Sequence, residues 1–134
     1  MIGKDLPEDV KQFLFAHIES VEQIEVLLLM RQNKEKWWSA KNISDELRNS
    51  ASSVANRLKT IKNLGLTEEN EAGQFRYNPS RPDDALTVDR LAEVYKVSKH
   101  RVLEVIFSPM KRARNFADAF LISSNHKKDE DKNG

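Results

Sequence analysis

Residues 38–79, WSAKNISDELRNSASSVANRLKTIKNLGLTEENEAGQFRYNP, constrain the fold most, because their punctuation leaves room only for two short helices and a hairpin. Ser39 can cap a helix from Ala40 to Arg48, in which Ile43 and Leu47 are four apart and share a face. Asn49 breaks that pattern and Ser50 is a second capping residue. Ala51, Val54, Leu58, Ile61 and Leu64 then recur at helical spacing, so a second helix runs from Ser50 to Leu64. Gly65 marks its end, since glycine tolerates the left-handed conformation in which helices often stop. Leu66-Thr67 begins an extended run and Ala72-Gly73 supplies a turn. Phe75 and Tyr77 alternate with Gln74, Arg76 and Asn78 as in a half-buried strand, and Pro79 stops the pairing.

With helix, turn, helix and hairpin in this order, the chain resembles the winged helix-turn-helix superfamily, and within it the MarR-type bacterial regulators. SSVANRLKTIKNLGL followed by FRYNP carries the likeness most clearly. The resemblance implies a mainly α fold with a small β-wing (66–79) and flanking N- and C-terminal helices, and a transcriptional regulator that places residues 50–64 in the major groove of double-stranded DNA. If Val54, Leu58 and Ile61 face the core, Ser52, Ser53, Asn56, Arg57 and Thr60 lie on or near the opposite side, toward base edges or phosphates. The turn between the strands carries Glu68, Glu69 and Glu71, with Arg76 as its cation, and an acidic tip is repelled by phosphate. An alternative reading is therefore a winged helix that binds a protein partner rather than DNA.

Charge is unevenly spread. Residues 1–35 hold four Lys/Arg against seven Asp/Glu, net −3, whereas residues 36–65 hold six against two, net +4. Lys41, Arg48, Arg57, Lys59 and Lys62 make the proposed reading unit the basic part of the chain, the electrostatic footprint of a phosphate-binding surface.

The remainder reads as scaffold. Pro7, Glu8 and Asp9 suit a first helical turn, and Val10, Phe13, Leu14 and Ile18 continue a stripe. Ser20 with Gln23 makes a capping box for a helix from Val21 to about Asn33, whose Ile24, Val26, Leu27, Leu28, Leu29 and Met30 should form the buried centre. Trp37-Trp38 could add a short strand beside the hairpin, with an indole in the core. After Pro82, the positions Val88, Leu91, Tyr95, Ser98, Val102 and Val105 step by three and four like a coiled-coil seam, predicting one long helix from about Asp83 to Phe107. A competing reading makes residues 91–106 a second helix-turn-helix, with Lys96 in its turn. Pro109 would start a last helix carrying Met110, Ala113, Phe116, Ala117, Phe120 and Leu121 on one side.

Terminal helices of this kind dimerise MarR-like proteins, so the resemblance implies a homodimer through Leu91, Tyr95, Val102, Phe116 and Phe120. It would read a pseudo-palindrome with half-sites roughly 34–36 Å apart. The divisions are then 1–80 for the N-terminal helices and winged unit, 81–122 for the dimerisation region, and 123–134 for a polar tail expected to be disordered. A regulator whose effector sits between the long helix and the winged unit is a third possibility.

Other chemistry has no footing. The 134 residues include no cysteine, and His17, His100 and His126 are isolated. No metal site, cofactor or catalytic constellation is expected, and the chain does not read as an enzyme. No run approaches the roughly 18 apolar residues of a membrane span, and the charged start is not a signal peptide, so a soluble, cytoplasmic protein is expected.

Overall fold

The computed structural model describes residues 6–114. It is mainly helical with one small antiparallel sheet, in the order α1 (Glu8–His17), α2 (Val21–Gln32), α3 (Ala40–Leu47), α4 (Ala51–Asn63), β1 (Thr67–Glu69), β2 (Phe75–Tyr77) and α5 (Pro82–Ile106). Helix α2 is the centre, as its composition predicts: Ile24, Val26, Leu27 and Met30 are fully buried. The capping expected before it is modified. Ser20 Oγ does accept the Gln23 N–H, but the Gln23 side chain reaches past the cap, accepting the Glu19 N–H at 2.9 Å and donating to the His17 carbonyl at 3.0 Å. Gln23 is fully buried yet satisfied, and it rivets the end of α1 to the start of α2.

Helix α4 ends in a Schellman turn. The Leu66 N–H bonds the Ile61 carbonyl, the Gly65 N–H bonds the Lys62 carbonyl, and Gly65 takes φ +79°. Ile61 and Leu66, the apolar pair such a turn brings together, are both fully buried. Pairing of the hairpin starts immediately, with the Ser80 N–H on the Gly65 carbonyl and the Asn78 N–H on that of Leu66. The register is Thr67↔Tyr77, Glu68↔Arg76 and Glu69↔Phe75. At the tip, Asn70 Oδ1 accepts the Gln74 N–H and Gly73 takes φ +77°. A Cβ on Gly65 would lie 2.9 Å from Ser80 Oγ in a left-handed backbone, so Gly65→Ala is expected to lower stability by about 1–3 kcal/mol in urea unfolding. Gly73→Ala, which meets open space, tests the backbone conformation alone.

The Trp37-Trp38 strand is reduced to one bridge. The Trp38 N–H donates to the Phe75 carbonyl at 2.7 Å and the Trp38 carbonyl accepts the Phe75 N–H at 2.8 Å, on the edge of β2 away from β1. The Trp38 indole is buried, and Trp37 is half-buried beneath Arg76.

Helix α5 corrects two expectations. It is not one unbroken helix, because Ser98 leaves helical geometry at φ −138°, ψ 53°. Two helices meet at this kink, two residues after Lys96, the turn position of the competing reading. Its seam also closes within the chain. Val88, Leu91, Val102 and Ile106 join the same core as Leu14 and Leu27, so Leu91 and Val102, expected at a dimer interface, are fully buried against their own molecule. Arg31 pairs with Asp89 at 2.9 Å, and Asp9 accepts from Thr87 and Arg90, fastening α5 to α2 and α1. Helical geometry resumes over 109–114. Phe116, Phe120 and the 123–134 tail lie outside the described residues.

Candidate nucleic-acid interface

Helix α3 begins with a reciprocal capping box. Ser39 Oγ accepts the Asn42 N–H and Asn42 Oδ1 accepts the Ser39 N–H, a pairing made here with asparagine at a position that favours Glu or Gln. Its end is sharper than expected. Arg48, expected as the last helical residue, is left-handed, and α3 stops at Leu47. Ser50 then caps α4 by accepting the Ser53 N–H at 3.1 Å.

Helix α4 has three kinds of surface. Val54, Leu58 and Ile61 are fully buried against the domain, as their spacing predicts, whereas Ala51 is exposed rather than part of the stripe. A polar flank is bound to α2: Glu22 accepts from Asn49 Nδ2 at 2.9 Å, from Ser53 Oγ, and from Arg57 Nε at 3.0 Å. Ser53 and Arg57, expected to look outward to DNA, are thus engaged with the scaffold. The third surface is the stripe Ser52, Asn56, Lys59 and Asn63, at steps of four, three and four, all exposed. Thr60 is half-buried and donates its hydroxyl to the Asn56 carbonyl.

Burial of Glu22 opposes its ionisation, but hydrogen bonds from Ser53 and Arg57, the guanidinium charge and the Asn49 amide outweigh it and hold its pKa below the usual value. The carboxylate stays charged at neutral pH and gathers the turn and the first two turns of α4. A one-sided signal for this clamp is present in the sequence, because Asn49, Ser53 and Arg57 fall at steps of four. Its acceptor, Glu22, is 35 residues from Arg57 and is marked by nothing local.

The other end of α4 is tied to the hairpin by Lys62 and Glu69 at 2.9 Å. Arg76 lies between Glu68, at 2.6 Å, and the face of Trp37, 4.5 Å from the ring centre. Hydrogen bonds from Asn78 and Arg76 hold the exposed Glu68 carboxyl below the usual range. Lys41 makes an exposed pair with Asp45. Much of the positive charge of residues 36–65 is therefore answered internally, and Arg48 and Lys59 are exposed cations that meet no carboxylate among the described residues.

Comparison with known proteins finds no family model, no curated protein and no solved structure that matches the chain. Among the described residues there is no group of three or more His, Cys, Asp or Glu able to hold a metal ion, and no helix long and apolar enough to cross a membrane. Helices α2 and α5 border an open groove of about 380 Å³ lined in part by Arg31, Tyr95 and Lys96.

Proposed function

We propose that the protein is a DNA-binding transcriptional regulator of the winged helix-turn-helix type, MarR-like in outline, that lays α4 in the major groove. The observation carrying this reading is the exposed stripe Ser52, Asn56, Lys59 and Asn63 on a helix held from behind by Glu22 and from its end by Glu69. Asparagine and lysine are side chains that recognise base edges, and a helix fixed at both ends presents them without an ordering cost on binding. The element order from α2 through the Trp38 bridge, α3, α4 and the hairpin, with β2 between the bridge and β1, supports the same reading.

Sequence discrimination falls to Asn56 and Lys59 rather than to Arg57. Binding of a random duplex, followed by anisotropy between 50 and 200 mM salt, should weaken steeply, with a log–log slope of about −0.9 per phosphate engaged. On a selected site, Asn56→Ala is expected to cost about 1–3 kcal/mol and to relax base preference at one position. No binding of any duplex at low salt removes the regulator reading. It would favour the protein-interaction alternative, for which the exposed Glu69 and Glu71 of the hairpin speak.

A two-fold dimer remains part of the proposal, but Leu91 and Val102 are not available to it. Among the described residues Leu86, Val97, Phe107 and Met110 are the exposed large apolar side chains. Sedimentation at the monomer mass at micromolar concentration would withdraw the dimer and its palindrome.

A further inference from the structure

Arg48 occupies a backbone position that works against it. Its φ of +59° and ψ of 40° make it the non-glycine residue with positive φ among the described residues, and the other two left-handed positions, Gly65 and Gly73, are glycine. A side chain there brings Cβ close to the following carbonyl, a conformation that only glycine, and to a lesser degree asparagine, adopts readily. Asn49, the residue better suited to it, is the next in line and is used instead to reach Glu22. The side chain of Arg48 recovers nothing within the molecule: it is exposed, and no hydrogen bond, ion pair or ring contact engages it among the described residues. Strain of this kind, kept without an internal return, gathers where a side chain has work outside the fold.

We propose that Arg48 is a phosphate-contacting residue, whose guanidinium takes a backbone phosphate of duplex DNA beside the groove that α4 enters. This rests on the DNA-binding reading of α4. Arg48 stands two residues before Ser50, the cap of α4, so it borders the helix at the end nearest the exposed hydroxyls of Ser50 and Ser52. Its planar fork of donors matches two phosphate oxygens at once. Of the six cations in residues 36–65, Arg57, Lys62 and Lys41 are bound to carboxylates and Lys36 lies over the Trp38 ring, while Arg48 and Lys59 are engaged by neither, and Arg48 is the one that stands off the base-reading stripe. Lys59 lies on the outward stripe two turns along α4, so the two cations are separated along the helix and fit successive points of contact rather than a single ion.

The test exploits opposite signs of two measurements on the full chain. Arg48→Gly relieves the backbone and is expected to raise the melting temperature by roughly 2–6 °C. It should also weaken binding of a random 20-base-pair duplex by roughly three- to tenfold near 100 mM salt, and reduce the magnitude of the salt slope by about one. Arg48→Lys should keep the slope near wild type, since it keeps the charge. Circular dichroism at the binding temperature confirms that each variant is folded. A melting temperature unchanged or lowered in Arg48→Gly overturns the strain argument. Wild-type affinity and slope in Arg48→Gly overturn the phosphate contact, and if Lys59→Ala still weakens binding, the reading of α4 stands without it. Failure of the wild-type protein to bind any duplex overturns both.

Discussion

Leu91→Asp is expected to leave no folded protein at 25 °C. Leu91 is fully buried in the core that α5 shares with α1 and α2. Losing its side chain from that core forfeits about 2–5 kcal/mol, the usual cost of Leu→Ala at a buried site. The aspartate must in addition bury a charge or take up a proton, which adds several kcal/mol more. Together these are comparable with the 5–15 kcal/mol of total stability typical of a domain this size. Far-ultraviolet circular dichroism should show loss of helix without a cooperative melt, while Leu91→Ala remains folded with a lowered midpoint. A folded, monomeric Leu91→Asp protein would mean that position 91 faces a second copy after all.

The second large effect belongs to Glu22. Glu22→Ala removes the acceptor shared by Asn49, Ser53 and Arg57, leaving a partly buried guanidinium without its partner, and should cost about 2–3 kcal/mol. The pKa of Glu22 is lower in the folded protein than its ordinary 4.5, so the folded state binds this proton less readily than the unfolded chain. Its contribution is therefore complete above about pH 4.5 and is lost as pH falls through the depressed folded value. Urea midpoints measured from pH 7 down to pH 3 should fall in wild type and fall less in Glu22→Gln, which keeps an acceptor but cannot titrate. Equal acid sensitivity in the two proteins would assign the acid loss to other carboxylates, with Asp9 the next in line because Arg90 and Thr87 hold its pKa down as well. Because Glu22 also orients the turn and α4, the alanine variant should bind DNA more weakly than Glu22→Gln where both are folded.

What was legible in the sequence was local. Ser39, Ser50 and Ser20 cap helices by reaching a backbone N–H three residues on, Gly65 ends α4, and the spacing of Val54, Leu58 and Ile61 fixes which face is buried. Each of these is decided within one or two helical turns, where propensity and periodicity act. Contacts between distant segments were not legible. The pairing of Arg57 with Glu22 converts a candidate base reader into a fastening. The fate of Leu91 and Val102 depended on whether α1 lies close enough to cover them, which a seam pattern does not encode. The Ser98 kink has neither proline nor glycine to announce it, and serine in a helix is ordinarily tolerated. Arg48 is the reverse case: the helix was expected to run through it and break at Asn49, whereas Arg48 is itself left-handed and the Asn49 amide is on Glu22.

The bridge between Trp38 and Phe75 also divides two neighbouring indoles between different surroundings. The chain has two tryptophans, adjacent in sequence, and the alternation of extended backbone sends Trp38 into the core while Trp37 lies half-exposed under a guanidinium at the sheet edge. Fluorescence of the native protein is therefore the sum of a shielded emitter and an accessible one. With phenylalanine at position 37 the remaining light reports the packing of the interior; with phenylalanine at position 38 it reports events at β2 and Arg76. Iodide quenching separates the two without any attached dye, so loosening of the interior and events at the hairpin can be timed independently in one molecule.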